Sequence, residues 1–63
     1  MKVITRVNEY LYSDKDIFIE SKKDGTFVKV EKDKNFFIEF GERIANAKVK
    51  ETHETETFVT IYI

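Results

Sequence analysis

Alternating apolar and polar residues restrict what this chain can fold into. Residues 26–31 alternate with a period of two, a charged segment follows at residues 32–35, and residues 36–40 form a second apolar run. Residues two apart lie on the same face of a strand, so this pattern is typical of half-buried β-strands, and the two runs with the charged turn between them predict a β-hairpin. Asp24-Gly25 precedes the first run, and Asp-Gly between alternating runs indicates a β-hairpin. The pattern therefore predicts a domain dominated by strands.

Other segments carry the same strand pattern. Residues 3–12 and 17–22 precede the Asp24-Gly25 turn, and residues 49–53 and 56–63 form the last predicted hairpin. The final strand is apolar on both faces, which is typical of a strand covered on both sides or buried in an interface. We therefore expect a mainly β fold, with a small antiparallel meander or barrel-like sheet of five to six strands.

The segment at residues 41–47 fits two structures. As a strand it would place Ala45 and Ala47 on one face, and the β-rich run before it favours that interpretation. A helix would place Gly41 in its interior, where glycine reduces stability by about 1 kcal/mol relative to alanine. Four apolar residues nevertheless have helical spacing: Phe37, Phe40, Ile44 and Ala47. One short helix near residues 41–47, which would make the fold α+β, is therefore the alternative.

Length and composition limit how such a sheet can be stabilised. Sixty-three residues allow a single small domain, residues 1–63. The chain has no cysteine, so disulfide bonds are excluded. Domains of this size without disulfides or metals are often stabilised by association. We therefore expect a homo-oligomer or a complex with another protein.

Charge and hydropathy narrow the classes of partner. Charged residues make up 37% of the chain, yet the net charge is only -1 and the two signs are interleaved. This balance argues against a dedicated double-stranded DNA-binding protein, which usually carries a basic excess. The first residues lack the apolar stretch typical of a signal peptide, and no apolar run reaches membrane-spanning length. We expect a cytoplasmic protein that does not bind membranes.

The residue types needed for catalysis or metal binding occur without the required patterns. Glu51 and His53 share a strand face, but zinc normally requires three or four ligands, and this chain has one histidine and no cysteine. Neither Ser13 nor Ser21 lies in a nucleophile elbow, and the two glycines do not form a phosphate-binding loop. The sequence therefore predicts no catalytic, cofactor or metal site and a protein that is not an enzyme.

Apolar side chains on both faces of the predicted strands favour a binding function. A half-buried sheet has no use for apolar residues on its second face, so a partner is expected to cover them. We predict a small non-enzymatic protein-interaction module, such as an inhibitor or adaptor, that self-associates. Its predicted partner-binding residues are Phe27, Phe37, Phe58, Ile61 and Tyr62.

A single-stranded nucleic-acid or RNA-binding domain is the alternative. Basic residues with exposed aromatic residues on a sheet can neutralise phosphates and stack on bases. The candidate residues for this function are Lys29, Lys48 and Lys50. Acidic residues interrupt every basic stretch, so protein binding is the favoured interpretation.

Overall fold

Two β-hairpins form where the sequence predicts them. β1 (Asp16–Ser21) and β2 (Thr26–Lys29) pair antiparallel. The turn between them contains Gly25 at φ +69°, a conformation that glycine adopts without a Cβ clash. At the other end of the chain, β3 (Glu51–Glu54) pairs antiparallel with β4 (Phe58–Tyr62). These hairpins confirm the strands predicted at residues 17–22, 26–31, 49–53 and 56–63.

The two hairpins join through a parallel pairing that the sequence analysis did not predict. The computed structural model describes residues 1–63, and its four strands lie in the order β2-β1-β4-β3. β1 and β4 are the parallel central pair, with Ile17 beside Val59 and Ile19 beside Ile61. The predicted all-antiparallel sheet of five to six strands is therefore wrong, and the fold is a mixed four-stranded sheet with two helices.

The first predicted strand, residues 3–12, is wrong: this segment forms the helix α1 (Val3–Tyr10). Val3 and Val7 are fully buried, and Ile4 and Leu11 pack against the same core. Val3, Val7 and Leu11 follow the helical spacing of i, i+4 and i+8, and Ile4 lies three residues before Val7, so the four lie on one side of a helix. The β-branched valines favour a strand locally, but burial of this side against the sheet favours the helix.

The predicted hairpin between residues 26–31 and 36–40 is also wrong, because residues 36–40 begin the helix α2 (Phe36–Ala45) and β2 pairs only with β1. The Asn35 side chain caps this helix by accepting a 3.1 Å hydrogen bond from the Ile38 amide. The helix alternative for residues 41–47 is thus largely correct. Gly41 interrupts the helix at φ +83° and ψ 168°, a conformation essentially restricted to glycine.

The core lies between the helices and one face of the sheet, here called the covered face. α1 and α2 contact each other, and both contribute to the same buried cluster. None of the helices has the length and apolar character needed to cross a membrane. The nine core residues are Val3, Val7, Ile17, Ile19, Val30, Phe36, Ala45, Val59 and Ile61.

Candidate functional site

The face of the sheet opposite the helices, here called the open face, has no covering element. Successive strand residues point to opposite faces, so burial of Ile17 and Ile19 on the covered face directs Phe18 to the open face. On β4 the same alternation buries Val59 and leaves Phe58 on the open face. Since both helices pack on the covered face, the open face must expose part of its aromatic surface.

Three phenylalanines form a continuous contact across three strands of the open face. The Phe18 ring stacks on the Phe27 ring with centroids 5.3 Å apart and meets the Phe58 ring edge-on at 5.9 Å. Both distances and orientations lie in the favourable range for aromatic pairs. Phe27 remains 59% exposed. We call Phe27, Phe18 and Phe58 the aromatic strip.

Charged groups of both signs surround the aromatic strip. The Lys29 ammonium lies 3.7 Å from the Asp16 carboxylate, and both side chains are more than half exposed. Glu20 lies opposite both Phe27 and Tyr62 in the strand register. On the other side of Tyr62, Glu51 occupies the paired position of β3. An apolar centre with a polar rim of mixed sign is the arrangement found at protein–protein interfaces.

The predicted partner-binding residues fall in three places. Phe27, Phe58 and Tyr62 lie on the open face, but Ile61 is fully buried in the core and cannot contact a partner, which corrects its assignment. Phe37 lies on α2, on the helix side, where it lines a groove of about 280 Å³. The prediction omitted Phe18, which is the centre of the strip, although its position between Ile17 and Ile19 was a usable signal.

The structure separates the lysines proposed for nucleic-acid binding. Lys48 and Lys50 line one shallow cavity of about 290 Å³, together with Lys23 and Arg43. Lys29 lies elsewhere, on the edge strand β2, and is paired with Asp16. The three lysines therefore do not form one surface.

A polar cluster connects α1 to the β3–β4 turn at the other end of the sheet. The Tyr10 hydroxyl donates a 2.8 Å hydrogen bond to Glu54, and the Lys15 ammonium donates to the same carboxylate and to the Thr55 carbonyl oxygen. The hydrogen bond from Lys15 makes the larger contribution to lowering the pKa of Glu54, and the hydrogen bond from Tyr10 lowers it further. The bond to Glu54 and burial raise the pKa of Tyr10. An ionised carboxylate and a protonated phenol hold these segments together.

The candidate metal ligands do not assemble into a larger set. Glu51 and His53 both lie on β3, and no group of three or more histidine, cysteine, aspartate or glutamate side chains is positioned to hold a metal ion. The surface cavities are small, with volumes between about 130 and 350 Å³. Comparison with protein-family models, with curated proteins and with solved structures finds no match for this chain.

Proposed function

We propose that this chain is a small non-enzymatic protein-binding module, of the inhibitor or adaptor type, that uses the open face as its interface. The observation that supports this proposal is the aromatic strip, since three contacting phenylalanines lie on a sheet face that no helix covers. Aromatic residues are enriched at the centres of protein interfaces, where they contribute much of the binding energy. The partner is another protein or a second copy of this chain.

The charges around the strip favour a protein over a nucleic acid. Asp16, Glu20 and Glu51 all occupy open-face positions in the strand register. These carboxylates would repel the phosphates of a strand stacked on the phenylalanines. A protein surface can place cations over the carboxylates and a carboxylate over Lys29. A second copy carries both signs itself, which suits a symmetric interface.

Photo-crosslinking from the centre of the open face tests this function. Replacing Phe27 by p-benzoylphenylalanine places the photoreactive group within the strip. The matched control carries the same group at Tyr12, an aromatic residue that is 99% exposed in the loop between α1 and β1. We expect irradiation of cells that produce the protein to give protein adducts from position 27 and at least about tenfold fewer from position 12.

The same variants distinguish the two kinds of partner. A covalent dimer formed by the purified Phe27 variant would identify a second copy, and adducts seen only in cells would identify a different protein. Circular dichroism matching that of the unmodified chain shows that each variant is folded. Equal crosslinking from both positions, or none from position 27, would overturn the proposal.

A further inference from the structure

Cations without an anionic partner gather at one end of the sheet. Four of the eleven lysines and arginines form ion pairs, and Lys32 donates a 2.7 Å hydrogen bond to the Ser13 carbonyl oxygen. The remaining six side chains form no ion pair and donate no hydrogen bond to a protein oxygen. These six, here called the basic end, are Lys2, Lys22, Lys23, Arg43, Lys48 and Lys50.

The topology of the sheet explains why these residues meet. β1 and β4 run parallel and β3 runs antiparallel to β4, so the end of β1 and the start of β3 lie at the same end of the sheet. Lys22 and Lys23 follow β1, and Lys48 and Lys50 precede β3. They line two shallow cavities of about 180 and 290 Å³ that share Lys23 and Lys50. Arg43 of α2 reaches the larger cavity.

Like charges face each other directly within the basic end. Lys2 and Lys48 are opposite one another in an antiparallel bridge. Like charges at directly opposed positions are destabilising, and an anion placed between them would relieve this repulsion. Among the side chains that line the two cavities, only those of Asp24 and Glu51 are carboxylates. The six cations and two carboxylates carry a formal charge of +4, and the five cations and ten carboxylates elsewhere carry -5.

We propose that the basic end binds the carboxylates of an acidic segment in the protein that covers the open face. This inference rests on the proposed function, because it assigns the charge of that same partner. The two surfaces are continuous at Tyr62: its ring belongs to the open face, it lines a cavity with Lys22 and Lys50, and the Lys22 ammonium lies 5.5 Å from the ring centroid.

The confined charge favours an acidic peptide over a nucleic acid. A uniformly anionic strand extending beyond the basic end would meet the open-face carboxylates Glu20 and Glu51. A protein segment can restrict its carboxylates to the basic end and present apolar residues to the strip. Charge complementarity of this kind determines which partners bind and how fast they associate.

NMR titration of the folded chain with a capped hexaglutamate peptide at low ionic strength tests the inference. We expect amide shifts centred on residues 22–24, 43 and 48–50, and loss of binding at physiological salt because exposed charges are then screened. The Lys23→Gln/Lys48→Gln/Lys50→Gln variant is expected to bind about tenfold more weakly, since each exposed pair contributes a few-fold. The matched control, Arg6→Gln/Lys32→Gln/Lys34→Gln, has the same net charge and is expected to bind as the parent does.

The same titration with an oligothymidylate of the same charge as the peptide tests binding of a nucleic acid. Tighter binding of the oligothymidylate, with shifts at Phe18 and Phe27, would overturn the inference in favour of a nucleic acid. Absence of peptide binding, or an equal loss of peptide affinity in both triple variants, would also overturn the inference. Because the titration contains no partner protein, its failure leaves the crosslinking result from position 27 intact, and the two proposals can fail separately.

Discussion

The two faces of the sheet use the same kind of residue for different purposes. On the covered face, Ile17, Ile19 and Ile61 are at most 2% exposed beneath the helices. On the open face, Phe18 and Phe58 are half-buried by contact with aromatic neighbours, and Phe27 is 59% exposed. Alternation along a strand supplies an apolar residue to either face, and the placement of the helices decides which face becomes core. The open face is therefore the sheet face that the fold leaves without a covering element.

Truncation on the covered face should have the largest effect on stability. Ile61→Ala is expected to destabilise the fold by about 2–5 kcal/mol, because it removes buried methyl groups and leaves a cavity. That is a large part of the total stability of roughly 3–9 kcal/mol typical of this chain length. Urea unfolding of the purified protein measures the change.

Two further variants control this measurement. Ile61→Val should cost only about 0.5–1.5 kcal/mol, since it deletes one methylene group. Phe27→Ala on the open face should cost only about 0.5–1.5 kcal/mol, the contribution of its stack on Phe18. A loss at Phe27 equal to that at Ile61 would show that the two faces do not differ as described.

A substitution in the helix that covers the sheet should have the next largest effect. Gly41→Ala is expected to cost about 1–3 kcal/mol, because φ +83° with ψ 168° is strained for any residue with a Cβ atom. No atom lies within 4 Å of the added Cβ, so backbone strain is the whole cause. Glu42→Ala, at the exposed next position, is the control and should be neutral in the same unfolding experiment.

Disruption of the aromatic strip should have a smaller effect on stability and a large effect on binding. Phe18→Ala removes contacts with both Phe27 and Phe58 and is expected to cost about 1–2 kcal/mol. Phe18→Leu retains apolar area without the ring geometry and should lie between the alanine variant and the parent. Unfolding experiments measure the stability, and crosslinking yield from position 27 measures binding. An unchanged yield in Phe18→Ala would contradict a role for the strip.

The smallest expected effect is on the pH dependence of stability, and it involves the carboxylate of Glu54. The folded-state pKa of Glu54 is lowered by the bonds from Lys15 and Tyr10. Its stabilisation is therefore present above the ordinary glutamate pKa of about 4.3 and is lost as the pH falls through the lowered value. Glu54→Gln should flatten the decrease in stability on acidification. Glu56→Gln, an exposed residue in the same turn without an ion pair, should leave the unfolding curves from neutral to acidic pH unchanged.

The parts of the fold that depend on local contacts could be predicted from the sequence. The β1–β2 hairpin follows from Asp24-Gly25 between alternating runs, because the turn and the strands it joins are neighbours in the chain. The parallel pairing of β1 with β4 has no such signal, since its residues come from opposite ends of the chain. Without that pairing, the number and direction of the strands could not be predicted.

The helices show where the pattern supported two interpretations. In α1, Val3 and Val7 fit the period of a strand as well as the spacing of a helix, and their β-branched side chains favoured the strand. In α2, the Phe36 and Phe40 rings contact each other at a centroid distance of 4.8 Å, one helical turn apart. Asn35, three residues before Ile38, is a helix N-cap that the sequence analysis missed.

The candidate site was predictable only in its residue types. Apolar residues on both faces of the predicted strands indicated a binding surface, and Phe27, Phe58 and Tyr62 do lie on the open face. Phe37 and Ile61 do not, because the face that a residue occupies depends on the element it belongs to and on what covers that element. The basic end has no sequence motif, since it unites residues from four separate segments.

The sequence by itself determined two hairpins, an apolar content sufficient for two sheet faces and a charge of nearly zero. Periodicity and turn residues act between near neighbours, so these properties can be derived from the order of residues. Only the tertiary structure decided that both helices cover the same face, that β1 and β4 run parallel, and that six cations meet at one end. These features depend on burial between distant segments, which no local pattern records.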